Sequence, residues 1–383
     1  MIRLRRFLRR PSRPVAGVLG AAAAAVALGA FAAPPAVPAY REFKDWVVAC
    51  DNARRCDARL APESGDPSDL RLAISRFAGP EGTAQIELNA DKPLPPQALQ
   101  LDGKPIDAAD QPGPKSAWQD DGEGGKRLEE EPALRLGRQL AQGRSLTVQT
   151  RQAPVRLSLD GLAAALLFMD DVQGRVGTVT AWRDPGSAPA SRVPPEPSLP
   201  VLGAAPVPPP LPDADAFAAR VRSRNAALLA QRCDTARGAP AGMVDQALPL
   251  TASEALVMLN CWNGAYQSAA LVLRVPRNAP ENARPVSLPA VPGGLPRSKA
   301  DDPAVLSEPF YDPETGALTT YAKGRGIGDC GYALGWVFDG AVFRAASRDE
   351  QRRCAGAPGD WPTLYRTRMA PPGEPATPPV PGR

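Results

Sequence analysis

Apolar and polar residues alternate with period two along several short stretches in the first half of the chain. Leu70–Phe77 (LRLAISRF), Ala84–Asn89 (AQIELN) and Ser145–Thr150 (SLTVQT) each predict a half-buried strand. Phe43, Trp46, Val48 and Cys50 open the same pattern. Turn-rich pieces such as Gly79-Pro80-Glu81-Gly82 and Asp120-Asp121-Gly122 separate these runs. The period changes once, where Leu162, Ala165, Leu166 and Met169 predict a helix over Gly161–Gln173. Ser158 or Asp160 is its expected cap and Gly174 its end.

The second half opens with a helical pattern from Asp213 to Gln231, with Phe217, Val221, Leu228 and Leu229 inward and Asp213 or Asp215 as cap. Strands are expected around Leu256–Leu259 and Ala269–Val275. The end reads as a meander of Ala317–Ala322, Tyr332–Phe338 and Ala341–Ala345. Asp312-Pro313-Glu314-Thr315-Gly316 predicts a turn, because proline fixes φ and glycine accepts φ > 0. Asp339-Gly340 predicts a two-residue hairpin turn for the same reason.

Composition divides the chain. Pro185–Pro212 holds 11 prolines in 28 residues and reads as an extended linker, since proline denies both helix and sheet interior. Residues 370–383 hold 6 prolines in 14 and read as a disordered tail. Two blocks of 40–184 and 213–369 remain, each long enough for its own core. The expected fold is α+β, mostly β: two disulfide-stapled domains, each with one or two helices, joined by the linker.

Residues 1–39 change how the charge is read. Arg3, Arg5, Arg6, Arg9, Arg10 and Arg13 precede an Ala-rich apolar run, the pattern of a secretory signal peptide with cleavage after Ala33 or Ala39. A retained anchor is the alternative. Without these six arginines the formal net charge goes from +4 to −2. A mature chain of that charge lacks the basic excess that phosphate backbones require, so nucleic acid is not an expected partner. The expected location is the periplasm or the exterior, with no membrane span once the signal is removed.

The six cysteines agree with export, since an even count in an oxidising compartment favours disulfides. Proximity pairs Cys50 with Cys56, Cys233 with Cys261 and Cys330 with Cys354, one of fifteen connectivities. Each bridge would add about 2–4 kcal/mol through loop-closure entropy.

Long motifs carry a family resemblance. Thr319–Arg344 (TTYAKGRGIGDCGYALGWVFDGAVFR), Gly359–Arg366 (GDWPTLYR), Cys261–Tyr266 (CWNGAY) and Asp45–Cys56 (DWVVACDNARRC) together resemble a bacterial family of secreted proteins designated domain-of-unknown-function family 1176. The Trp…Cys…Cys opening is also similar to the invasion-associated locus B family, which implies an envelope-exposed role. The resemblance implies export and brings no catalytic residues with it.

The chain has no histidine, which removes Ser-His-Asp and Cys-His catalysis and His-ligated metals. Gly326–Gly331 fits G-x-G-x-x-G, yet a strand rather than a helix should follow it, so it reads as a glycine-rich turn that places Cys330. Lys323, Arg325 and Asp329 make this the most distinctive loop, either a recognition surface or a local Arg325–Asp329 pair. Trp262 and Tyr266 flank Asn263-Gly264, either as a binding face or as core against the Cys233–Cys261 bridge. Paired acids at Asp170-Asp171 and Glu129-Glu130-Glu131 are the one catalytic design open to this composition. No cofactor or metal is expected. The leading reading is a non-catalytic binding or accessory module for an envelope protein or cell-wall component. A carboxylate-dependent hydrolase of envelope glycan and a purely structural or stress-related envelope protein are the alternatives.

Overall fold

A computed structural model describes residues 35–64, 70–90, 98–112, 117–120, 125–150, 153–233, 244–294, 302–355 and 358–370. The expected signal segment, the tail and the Asp121-Gly122 part of one turn lie outside the described residues, save a few positions at their edges. The fold is mostly β with four α-helices among the described residues, α+β as the hydrophobic pattern implies.

The first block is built on a seven-stranded antiparallel sheet. Its first five strands, Ala39–Phe43, Trp46–Cys50, Cys56–Leu60, Leu70–Arg76 and Ala84–Ala90, follow chain order, and Lys126–Glu129 and Gln119–Asp120 complete it. Register aligns Trp46 with Leu60, Val48 with Ala58, and Ile74 with both Ala58 and Ile86. One face is therefore continuous apolar surface. Helices α1 (Glu130–Leu140) and α2 (Leu162–Gln173) cover it, together with the strands Leu99–Leu101, Ser145–Gln149 and Pro154–Ser158. Trp46 is fully buried in this core and its indole N–H donates to the Ser158 carbonyl at 3.2 Å.

Two local features of this block differ from the sequence expectations. Helix α1 occupies Glu130–Leu140, where only an acidic run was read; Ala133, Leu136, Gly137 and Leu140 supply its buried stripe. Helix α2 starts at Gly161 (φ 96°) without a side-chain cap from Ser158 or Asp160. A β-carbon there would lie 1.9 Å from the Phe43 carbonyl oxygen, so close backbone approach sets this terminus. Gly174 ends the helix in the left-handed region, as its position implies.

In the second block the expected long helix divides at Asn225 into α3 (Ala214–Arg224) and α4 (Ala226–Arg232). The Asn225 amide donates to the carbonyls of Val221 and Pro280, both at 2.8 Å, which stabilises the break. The helices border a sheet built on the long hairpin of Glu254–Asn263 and Ser268–Pro276. A second sheet runs Phe310–Asp312, Ala317–Lys323, Gly331–Phe338, Phe343–Gln351, Thr363–Tyr365. Phe338 pairs with Phe343, so the last hairpin turns over Asp339–Val342 rather than over two residues. Asp339 Oδ1 accepts from the amides of Ala341 and Val342 and holds that wider turn.

Each block has its own core cluster, and Tyr40, Val47, Ala49 and Ala61 of the first meet Ala355 and Leu364 of the second in a third. Pro185–Pro212 crosses the body as an ordered strap. Its Val201-Leu202 pairs in parallel with Arg368-Met369, Glu196 meets Arg366, and the Pro209 and Pro210 carbonyls accept from Arg277. Disulfides join Cys50 to Cys56, Cys233 to Cys261 and Cys330 to Cys354.

Candidate functional site

The glycine-rich loop joins the strands Ala317–Lys323 and Gly331–Phe338, and no helix follows it. Gly331 sits at φ 143°, where an added β-carbon would lie 2.1 Å from the Ala322 carbonyl oxygen and 2.8 Å from Trp361. Only glycine lets the chain cross there. Within the loop Arg325 is ion-paired with Asp329, whose carboxylate is fully buried, and its guanidinium also donates to the Cys354 carbonyl at 3.2 Å. The pair therefore fixes the loop to the Cys330–Cys354 bridge. The carboxylate of Asp329 and both sulfurs lie within 4.8 Å of one another, but the sulfurs are joined and the oxygens are spent on arginine. That set offers no metal site.

The neighbouring hairpin tip leans on this loop. Tyr266 lies 3.4 Å from the point a Gly326 β-carbon would occupy, and Gln267 Oε1 accepts from the Lys323 amide at 3.0 Å. Trp262 stays half-buried against the second core, close to Gly264. A bulge between Asn260 and Trp262 places Cys261 in its disulfide. Of the five residues singled out from sequence, Tyr266, Lys323 and Arg325 thus share one surface, Asp329 lies beneath it, and Trp262 supports the hairpin. Sequence reasoning missed Ile327, which is 53% exposed and follows Gly326, the residue against which Tyr266, 46% exposed, leans. An isoleucine between two glycines of a polar loop was the available signal.

Behind the loop, the polar faces of two sheets meet. The first sheet contributes Asp57, Arg59, Arg71, Glu87 and Asn89, the positions alternating with its core residues. The last strands and the turn before Thr363 contribute Asp349, Gln351 and Asp360. Arg59, Arg71, Glu87, Asn89, Gln351 and Asp360 line a small cleft of about 20 Å³, room for a water molecule. The carboxylates in and around it are engaged: Asp360 with Arg59, Glu87 with Arg127, Asp57 with the Ser75 hydroxyl and Asp349 with the Thr363 hydroxyl. Burial pushes the Asp349 carboxyl up, against the Thr363 hydrogen bond and the Arg59 charge. Alternating charge along a strand looks the same whether it faces water or another sheet, so the sequence did not single these residues out.

The acid runs read as a catalytic option are built into the fold. Asp170 is fully buried and accepts from the amides of Trp182 at 3.0 Å and Arg183 at 2.8 Å. Desolvation outweighs those bonds and pushes its carboxyl up to about 6. Glu130 and Glu131 form the first turn of α1. Asp312 accepts from the Glu314 amide and the Thr315 hydroxyl and so closes its own turn.

No described helix is long and apolar enough to cross a membrane. No solved structure matches the chain. An uncharacterised protein of Escherichia coli (strain K12), YpfG, is 32% identical over 350 residues, covering 86% of this chain and 93% of that relative. Residues 40–368 match the family described as Protein of unknown function (DUF1176), a span that takes in both blocks, the Pro-rich strap, all six cysteines and the glycine-rich loop. The chain belongs to the DUF1176 family.

Proposed function

We propose that this is an exported envelope protein that acts as a non-catalytic binding module, with Tyr266, Ile327 and Lys323 as its contact residues. One observation carries the reading. Two large apolar side chains are exposed at the tips of loops whose backbones are held by a disulfide, a buried ion pair and the Gln267–Lys323 bond. An exposed anchor on a pre-ordered loop loses little entropy on binding, the arrangement found at interface hot spots. Arg325 and Asp329 keep the surface in shape, and Lys323 adds a positive charge beside it. The fitting partner is an envelope protein or cell-wall component that offers an apolar recess next to an anionic group. Export is supported by three disulfides and by the arginine-rich, Ala-rich opening.

The test is affinity capture from envelope extract with the full chain and with Y266A/K323A as parallel baits. The reading expects a component enriched by the native bait and reduced at least tenfold by the double variant. Equal capture by both baits would refute this surface as the site. A carboxylate-dependent hydrolase would have to work in the cleft at Arg59, where Asp57, Asp349, Asp360 and Glu87 gather. Turnover of an envelope glycan, abolished by D349N, would establish that alternative.

A further inference from the structure

Polar atoms are also stranded inside the first block. Arg76 ends the strand Leu70–Arg76 on the core face, opposite Cys56 and Ala84. It is 4% exposed, and among the described residues its Nε and Nη1 have no acceptor. Its guanidinium carbon lies 5.7 Å from the centroid of the Trp182 ring. Trp182 is 1% exposed, packs where α1 carries Gly137, and has no acceptor for its own Nε1. Three donor nitrogens of this stacked pair are therefore buried without a hydrogen-bond acceptor. Each such donor costs about 1–3 kcal/mol, and more where it is charged. The compartment needs an acceptor.

The surrounding charges say what kind. Arg138 and the fully buried Arg175 both bear on Arg76, while Asp170 and Glu130 oppose them. Arg175 spends its guanidinium on the carbonyls of Phe77 and Gly79, Gln173 Oε1 and the Thr180 hydroxyl. Arg138 bonds the carbonyls of Val179 and Ala181, so neither arginine is neutralised by its hydrogen bonds. Asp170 turns its oxygens to two amides, and Glu130 stands at the exposed rim with the Thr83 hydroxyl. Arg138 and Glu130 reach solvent, which leaves two buried cations, Arg76 and Arg175, facing one buried anion, Asp170. A water molecule would accept hydrogen bonds and leave that excess in place. A monatomic anion accepts the same N–H groups without strict directionality and removes the excess.

We propose that Arg76 and Trp182 hold a small inorganic anion of the halide class between the first sheet and helices α1 and α2. The site is separate from the proposed contact surface and stands or falls independently of it. The probe is chloride, titrated against gluconate at constant ionic strength with the full chain. Melting temperature should rise by roughly 2–4 °C for each tenfold increase in chloride above its dissociation constant. The ³⁵Cl resonance should broaden in the presence of protein. R76M should lose both responses. W182F keeps the ring over Gly137 and deletes one donor, so it should weaken chloride binding about tenfold while remaining folded. If R76M does not fold, W182F decides, and an unchanged chloride affinity in it overturns the proposal. Coincident melting curves in chloride and gluconate would mean that water alone satisfies these donors, which also overturns it.

Discussion

At the scale of single residues, burial sets the chemistry more than residue type does. Asp170 is the clearest case: two backbone amides hold its carboxylate, yet desolvation raises its pKa from the ordinary value to about 6. The folded state therefore keeps a proton that the unfolded chain releases near pH 4. This group's contribution to stability is largest below pH 4 and is lost as pH rises through 6. The shift corresponds to about 3 kcal/mol. Urea melts of the native protein and D170N should show their stability difference falling by about that amount between pH 4 and pH 7. A difference that stays flat would place the carboxyl in an ordinary environment. Gly161 gives a second prediction, since alanine there would meet the Phe43 carbonyl at positive φ. G161A should lower stability by at least about 2 kcal/mol in the same assay.

At the scale of elements, the sequence was most readable where period and burial agree. The alternation in Leu70–Arg76 and Ala84–Ala90 appears directly as one apolar and one polar sheet face. Helix α1 was harder to see because Pro132 and three glutamates occupy its start, although all are tolerated in a first turn. Its stripe at Ala133, Leu136, Gly137 and Leu140 was present and had been masked by that acidic opening. The break at Asn225 depends on the carbonyl of Pro280, 55 residues away, which no local pattern contains. The loop site shows the same division. Lys323, Arg325 and Asp329 stood out in sequence, but the choice between recognition and local pairing required the buried position of Asp329. Arg325 now has a structural assignment that can be tested. R325A leaves a buried carboxylate unpaired and should speed native-state tryptic cleavage after Lys323 at least tenfold. Unchanged cleavage would mean that the disulfide alone orders the loop.

At the scale of the whole molecule, the contacts between the two blocks are ionic at their edges and apolar in the middle. Arg366 pairs with the buried Asp51, its backbone N–H donates to Asn52 Oδ1 and its carbonyl accepts from Asn52 Nδ2, Arg353 pairs with Glu42, and Arg59 pairs with Asp360. These partners lie about 300 residues apart in sequence, so none of the pairs was legible from it. Burial holds the Asp51 carboxyl above its ordinary range even with Arg366 beside it. R366A removes the partner and should cost roughly 2–3 kcal/mol at pH 7 by urea melt. The cost should shrink as pH falls and the stranded carboxyl protonates. A pH-independent loss would assign the effect to lost packing of the Arg366 side chain rather than to a stranded Asp51 carboxylate.

The central claim is that the loop tips carrying Tyr266 and Ile327 are where a partner docks. The most direct measurement places a photo-crosslinking amino acid at position 327 and, as control, at the more exposed Val207 of the strap, in cells making the full chain. The account predicts a discrete adduct from position 327 that Y266A or K323A diminishes, and none of that size from position 207. The same adducts from both positions, or an adduct at 327 indifferent to Y266A and K323A, would contradict it.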